Sequence, residues 1–254
     1  MKIVEHLPRA GDFFFKWRSY LPLLFLPVVA ASFIGFSYPY GSRAFALVWE
    51  VGCFFISVAG VALRSFTVGT APAGTSGRNT RAQKARALNT TGPYSVVRHP
   101  LYVGNYVIAL GIALVPRVWF LPIMMSLAFL LYYERIAARE EEFLELKFGD
   151  EFRVWASRVP AMIPSFGGYR PPALPFSWRV ALGREYHGFF GVIAAMFILD
   201  AVGEFVISGR ISFDLLWTAM FLSGALFFVT VRFLRKRTSL LKTPGDRYLD
   251  TPNG

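Results

Sequence analysis

The sequence predicts an all-α polytopic membrane protein, a helix bundle of about six membrane helices that includes one short helical hairpin. Three observations carry that expectation. Apolar residues make up 54% and aromatic residues 17% of the 254-residue chain, too greasy for a water-soluble domain of this length. Uncharged runs long enough to enter a hydrocarbon core recur along it. The basic residues, which give a net charge of +11, lie beside those runs. They make no basic helix face with interleaved aromatics, so they read as membrane-surface charge and nucleic acid is excluded as a partner. The single cysteine, Cys53, rules out an intramolecular disulfide. His6, His99 and His187 are scattered, with no second Cys or His at ligand spacing, so no metal site is expected.

The segment up to Tyr20 mixes Lys2, Arg9, Lys16 and Arg18 with Phe13, Phe14, Phe15 and Trp17, a pattern suited to the headgroup layer. Leu21 to Phe36 comes next as a first spanning helix, although Pro22 and Pro27 interrupt it, and Ala44 to Leu63 as a second. Arg64 to Arg98 is a polar loop with Arg78, Arg81, Lys84 and Arg86 and no acid. Between Leu101 and Tyr133, 33 residues contain one charge, Arg117, next to Pro116. That is too long for one span, and a hairpin with two arms of about 15 residues fits it better, each rising roughly 22 Å against a core of about 30 Å. Glu134 to Arg158 reads as a charged helix leaving the membrane, and Pro160, Pro164, Gly167, Gly168, Pro171, Pro172 and Pro175 make the next stretch irregular. Two further spans are expected at His187 to Ile207 and Phe213 to Leu234, before a basic tail. Three units result: 1–87, an interfacial segment, two spans and the basic loop; 88–165, a core holding the chemical motifs; and 166–254, an extension with two spans.

Placing the N-terminus in the cytoplasm leaves only Arg43, Arg117 and Arg210 in the outer connections, against 27 Lys and Arg in all. The positive-inside rule then puts both termini, the long basic loop and the charged stretch after Tyr133 at the cytoplasmic side, on the inner membrane in a bacterium.

Two clusters carry candidate chemistry. GPYSVVRHPLYVGN, residues 92–105, sets Arg98, His99 and Tyr102 at the mouth of an apolar helix, where unpartnered polar groups would cost several kcal/mol. REEEFLELKFGDEFRVWASRVPAMIP, residues 139–164, runs Glu140, Glu141, Glu142 and Glu145 together. A hairpin returns its arms to one surface, so the residues before Leu101 and after Tyr133 face each other. An Arg-His-Tyr group opposite a Glu pair makes a pocket for a ligand with cationic and anionic ends. Lipid-phosphate anchoring is the competing use of the first cluster and a solvated helix face that of the second.

The order of these motifs resembles the isoprenylcysteine carboxyl methyltransferase family and its phospholipid methyltransferase relatives, over about residues 88 to 165. That order is GPYSVVRHPLYVGN, a hydrophobic hairpin, EE, then FG and RVP with Pro164 just beyond. The resemblance implies a site for S-adenosylmethionine, with S-adenosylhomocysteine as product. It implies Tyr94, His99, Pro100, Tyr102, Gly104, Asn105, Glu140 and Glu141 as cofactor-binding residues and Arg98, His99, Glu141 and Arg158 as catalytic ones. With the cytoplasmic placement of the cluster and its membrane embedding, the expected reaction is methyl transfer at the cytoplasmic face to a membrane lipid or lipidated acceptor, and the resemblance does not choose among a headgroup amine, a lipid phosphate and a prenylcysteine-type carboxylate. Carboxylates suit the amine or ribose of such a cofactor, and Arg and His its carboxylate. In-line displacement at a good leaving group needs positioning and no covalent nucleophile, and GxSxG is absent. Two rivals remain: a sterol-reductase-like NADPH-dependent membrane oxidoreductase, which shares a related Arg-His and Tyr signature, and a non-enzymatic lipid-binding scaffold.

The chain also departs from that family. Where many members carry two Tyr three residues apart after FG, Phe152 and Trp155 stand here and lack the hydroxyls. Arg158, Arg135 and Arg139 suit either an anion or lipid phosphate. Beyond residue 165 the resemblance ends. There Asp200 and Glu204 share a helical face near its outer end, suited to a cationic headgroup, a partner helix or interfacial water. Glu50 lies in an apolar run with no evident cationic partner, and His187 reads as an interfacial side chain.

Overall fold

The computed structural model describes residues 24–72, 85, 87–243 and 247. Among them are seven α-helices and no strand: α1 (Leu26–Ala31), α2 (Arg43–Thr70), α3 (Pro100–Leu114), α4 (Phe120–Phe148), α5 (Asp150–Ala156), α6 (Trp178–Ser208) and α7 (Leu215–Arg237). Four of them, α2, α4, α6 and α7, are long and apolar enough to cross a membrane, and α3 is a shorter apolar helix.

Local chemistry sets these boundaries. The Ser42 side chain caps α2 by accepting from the Phe45 N–H at 3.3 Å, and Pro72 comes after its last turn. Pro100 opens α3 at a position that tolerates a missing N–H, and Val115-Pro116 ends it, with Arg117 at φ 62°. No breaker then stands between Ile123 and Phe148. Gly149, at φ 54°, closes α4 with its N–H on Glu145 O at 2.8 Å. Ser177 caps α6, Gly209 ends it in the left-handed region, and Asp214 caps α7 by accepting from Leu216 N at 2.8 Å.

Helices α2, α6 and α7 build the core, where Phe54 of α2, Val192 and Met196 of α6 and the fully buried Trp217 of α7 pack together with Phe33. Helix α3 runs antiparallel to α2: Trp49 Nε1 donates to Leu114 O at 2.9 Å at one end, and Arg64 Nη1 to Asn105 Oδ1 at 2.6 Å at the other. Their approach is close. A Cβ on Gly60 would lie 2.6 Å from Gly104 O, and one on Gly111 2.6 Å from Cys53 O. Helix α4 returns beside α3 and leaves Ile123, Leu127, Leu130 and Leu131 exposed, as lipid contact requires.

Three expectations are corrected. Leu24 to Phe36, the described part of the expected first span, holds only the six-residue α1, with Pro27 in its first turn, and short turns on either side, the last of them ending at Gly35 with φ 72°. The hairpin arms are unequal, 15 and 29 residues, because the charged stretch from Glu134 continues the second arm without a break until Gly149. Helix α2 runs past Leu63, and α6 begins well before His187, since the polar residues that end the apolar runs are paired inside the bundle. The interfacial segment before Tyr20 and the arginines and lysine at 78, 81, 84 and 86 lie outside the described residues.

Candidate functional site

His99 precedes Pro100 and is pushed out of the helical region, at φ −122°. Arg98 and His99 therefore stand off the α3 N-terminus, while Tyr102 sits in its first turn. Ahead of them, Gly92–Ser95 forms a 3₁₀ turn tied to the segment after α5: Gly92 N donates to Arg170 O at 2.9 Å and Ser165 N to Val96 O at 3.0 Å. Arg98 N donates to Pro160 O at 2.9 Å, which lays the RVP segment along the Arg-His pair.

The two motifs meet. Arg98 Nη1 donates to Glu141 Oε2 at 2.6 Å, and His99 Nε2 lies 2.8 Å from Glu141 Oε1. His99 Nδ1 is 3.7 Å from Glu140 Oε2, and the Tyr102 hydroxyl donates to Glu140 Oε1 at 2.6 Å. His99 also stacks on Tyr102, with centroids 5.4 Å apart. His99 is 7% exposed along its side chain and the two glutamates 22–28%, so the cluster is partly closed and keeps an open side. Pro100 is fully buried. Helix length places the cluster: from Phe120 to Glu140 the axis rises about 30 Å, the thickness of a hydrocarbon core.

Not every expected site residue joins the cluster. Tyr94 packs instead on Phe152, Trp155 and Val159, and its backbone carbonyl accepts from Trp155 Nε1 at 3.1 Å. Phe152 and Trp155 therefore fasten α5 to the first motif. Burial holds the Tyr94 phenol well above the ordinary tyrosine range, with the Glu140 charge adding to it. Gly104 faces α2, where its missing Cβ leaves room for the stem of Arg64. Asn105 Nδ2 donates to the Tyr133 hydroxyl at 2.9 Å. Arg158 is exposed after α5, and its guanidinium makes no hydrogen bond to the cluster. Arg139 pairs with Glu142 at 2.6 Å, and Arg135 donates to Leu131 O on its own helix.

Sequence reasoning missed Arg64, Tyr133 and Glu185. Arg64 Nε and Nη2 meet Glu185 Oε2 and Oε1 at 2.8 and 2.9 Å, while its Nη1 takes Asn105. The available signal was a lone cation and a lone anion at the ends of two apolar runs. Asp200 and Glu204, by contrast, find a residue read only as a loop charge. Arg43 lies 2.5 Å from Asp200 and 3.1–3.2 Å from Glu204, Asp214 and Glu50, so Glu50 does have a cationic partner. This second cluster sits at the opposite end of α2 from Arg64.

Comparison with known proteins bears on the first cluster. Residues 50–151 match the family model described as phospholipid methyltransferase. A nickel-cobalt-cadmium resistance protein of Alcaligenes xylosoxydans xylosoxydans is 39% identical over 88 residues, 35% of this chain and 41% of that protein. A cobalt-zinc-cadmium resistance protein of Cupriavidus metallidurans is likewise 39% identical over 88 residues, 35% of this chain and 40% of the relative. The protein-S-isoprenylcysteine O-methyltransferase of Schizosaccharomyces pombe is 32% identical over 84 residues, 33% of this chain and 36% of the relative. The chain thus spans about two-fifths of the length of these relatives. No solved structure matches it. The matched residues 50–151 take in most of α2, all of α3 and α4, and both halves of the Arg-His-Tyr-Glu-Glu cluster, so this stretch is similar to the phospholipid methyltransferase family.

Proposed function

We propose that this protein is an integral membrane methyltransferase that moves a methyl group from S-adenosylmethionine to a lipophilic acceptor at the cytoplasmic face. The acceptor class is a lipid amine, a lipid phosphate or a prenylcysteine-type carboxylate. The observation that carries this reading is the convergence of Glu140 and Glu141 with Arg98, His99 and Tyr102 within 2.6–3.7 Å, inside the family-matched segment.

The residues fit the cofactor. Two adjacent carboxylates offer acceptors for its amine and ribose hydroxyls, and Arg98 Nε is a buried donor with no hydrogen-bond partner, suited to its carboxylate. When bound, S-adenosylmethionine would supply an electrophilic methyl on sulfonium sulfur for the acceptor's oxygen or nitrogen, with S-adenosylhomocysteine as the leaving group. The chain's part is to orient and to keep water away. Glu141 holds Arg98 and His99 by one oxygen each, so both donors stay aimed at one side. Tyr102, stacked on His99, fixes Glu140 and covers the imidazole face. An amine acceptor must first lose a proton, a task suited to Glu140 or His99, whereas an anionic acceptor needs a cation such as Arg98 or Arg158.

Depth in the membrane supports the greasy acceptor. Helix α3 rises only about 22 Å, so the cluster at its N-terminus is reached by lateral diffusion along the inner edge of the hydrocarbon layer. The described connections at the far end hold Arg43, Arg117 and Arg210, while α7 ends at the cluster side in Arg235, Lys236 and Arg237; this asymmetry supports the cytoplasmic assignment. The names of two relatives raise metal handling; among the described residues no group of three or more His, Cys, Asp and Glu could hold a metal ion. The test is transfer of labelled methyl from S-adenosylmethionine into total membrane lipid. Glu140→Gln or His99→Ala abolishes the label while folded protein persists; label that survives both overturns the site assignment.

A further inference from the structure

Helix α6 lies beyond the family-matched residues, yet it reaches the site. Glu185, 3% exposed, holds Arg64 of α2 through two parallel bonds of 2.8 and 2.9 Å. That bidentate grip uses Nε and Nη2 and leaves Nη1 aimed at Asn105 Oδ1, 2.6 Å away. A guanidinium donates only, so it dictates which end of the Asn105 amide faces it. The amide nitrogen is thereby turned to the Tyr133 hydroxyl at 2.9 Å. The Tyr133 ring packs on Tyr102 with centroids 4.4 Å apart, and Tyr102 donates to Glu140. Gly104 completes the arrangement: a Cβ there would lie 2.5 Å from Arg64 Cγ.

We propose that Arg64 and Glu185 are positioning residues for the cofactor site, acting through Asn105 and Tyr133 on Tyr102 and Glu140, and that supplying Glu185 is a task of the C-terminal extension. The inference rests on the cofactor reading above. The ordinary alternative is a clamp between α2 and α6, because removing one partner of a buried ion pair strands the other and destabilises any bundle. Single deletions therefore do not discriminate, but an exchange does. Arg64→Glu combined with Glu185→Arg restores an ion pair between the helices, yet puts no donor against Asn105 Oδ1. Tyr133→Phe keeps the ring and removes the acceptor of Asn105 Nδ2, leaving the ion pair untouched.

The experiment measures S-adenosylhomocysteine affinity by calorimetry, methyl-transfer KM and kcat, and Tm on the full chain in lipid nanodiscs. The exchanged pair keeps Tm within a few degrees of wild type, but its Kd and the KM for S-adenosylmethionine rise roughly tenfold, the loss of about one well-made hydrogen bond. Tyr133→Phe moves Kd in the same direction at unchanged Tm, and it decides the matter if the exchanged protein does not fold. Wild-type affinity in either variant overturns the inference. Glu140→Gln separates the two levels: if it abolishes binding while Tyr133→Phe binds normally, the positioning role alone fails. If wild-type protein does not bind S-adenosylhomocysteine, the cofactor reading fails and this inference with it.

Discussion

Glu141→Gln tests the site at its most heavily used side chain. Glu141 spends one oxygen on Arg98 at 2.6 Å and the other on His99 at 2.8 Å. Glutamine has nearly the same shape but only one acceptor oxygen, so one bond survives and an amide N–H₂ is pressed against the remaining donor. A charge-assisted bond is worth about 1.5–3 kcal/mol, and a stranded donor costs about 1–3 kcal/mol more. The side chains of Arg98 and Glu141 keep 19% and 22% exposure, so solvent softens both contributions. The low ends sum to about 2–3 kcal/mol, or roughly 30- to 150-fold in affinity if Arg98 and His99 must stay aimed to hold the cofactor. Calorimetric titration of S-adenosylhomocysteine into the purified variant reads this directly, with wild type as reference. An unchanged Kd at unchanged Tm refutes the assignment, because no cofactor held through this cluster can be indifferent to losing its central acceptor.

Packing and burial set three other outcomes. Arg43→Met leaves Asp200 and Glu50, 2% and 4% exposed along their side chains, without their cation, and lowers stability by about 3–5 kcal/mol; a Tm equal to wild type would show that the cluster is not formed. Gly111→Ala drives a Cβ to 2.2 Å from Ser57 Oγ and 2.6 Å from Cys53 O, costing about 1–3 kcal/mol, whereas Gly191→Ala has no atom within 4 Å and gains up to about 1 kcal/mol in helix propensity. Thermal unfolding of the two variants must move in opposite directions. Because burial raises the Tyr94 phenol, the folded chain keeps a proton that the unfolded chain releases near pH 10. Its contribution is present below that pH and is lost as pH rises beyond it. Wild-type stability therefore falls above about pH 10, and Tyr94→Phe flattens the fall; identical alkaline profiles would contradict it.

Much of the architecture was legible because bilayer crossing imposes a strong pattern. The apolar runs located α2, α4, α6 and α7, and Pro116 located the hairpin turn. The features that failed to read did so for a physical reason. A run of apolar residues stops at its first charge, so α2 was expected to end at Leu63 and α6 to begin at His187, at the very places where Arg64 and Glu185 pair across the bundle. A single sequence holds those two charges 121 positions apart with nothing to join them. The same blindness made Arg43 a loop charge and Glu50 an unpaired one. The juxtaposition of the Arg-His-Tyr and Glu-Glu motifs was legible from the hairpin alone, since a turn forces its ends together. The tilt of side chains was not: nothing in the sequence indicates that the missing Cβ of Gly104 makes room for Arg64.

The two ion clusters have a common consequence for how the chain is assembled. Helix α6 meets α2 twice through charge, at Glu185 with Arg64 and at Asp200 and Glu204 with Arg43, and α7 joins the second contact through Asp214 and the Trp217–Glu50 hydrogen bond at 2.9 Å. Apolar helices in lipid slide and rotate at little cost, because hydrocarbon solvates them as well as each other does. Charges do not. A helix displaced by one turn, about 5.4 Å, breaks both clusters at once and leaves several ions in a low-dielectric interior, an arrangement that fixes register and rotation more firmly than packing of Phe and Val. The extension is thereby locked to α2, which receives α3 where Gly60 meets Gly104, and α3 carries the first chemical motif at its N-terminus. Registry set by Arg43 at one end of α2 is delivered at the other, where Arg64 stands beside the site.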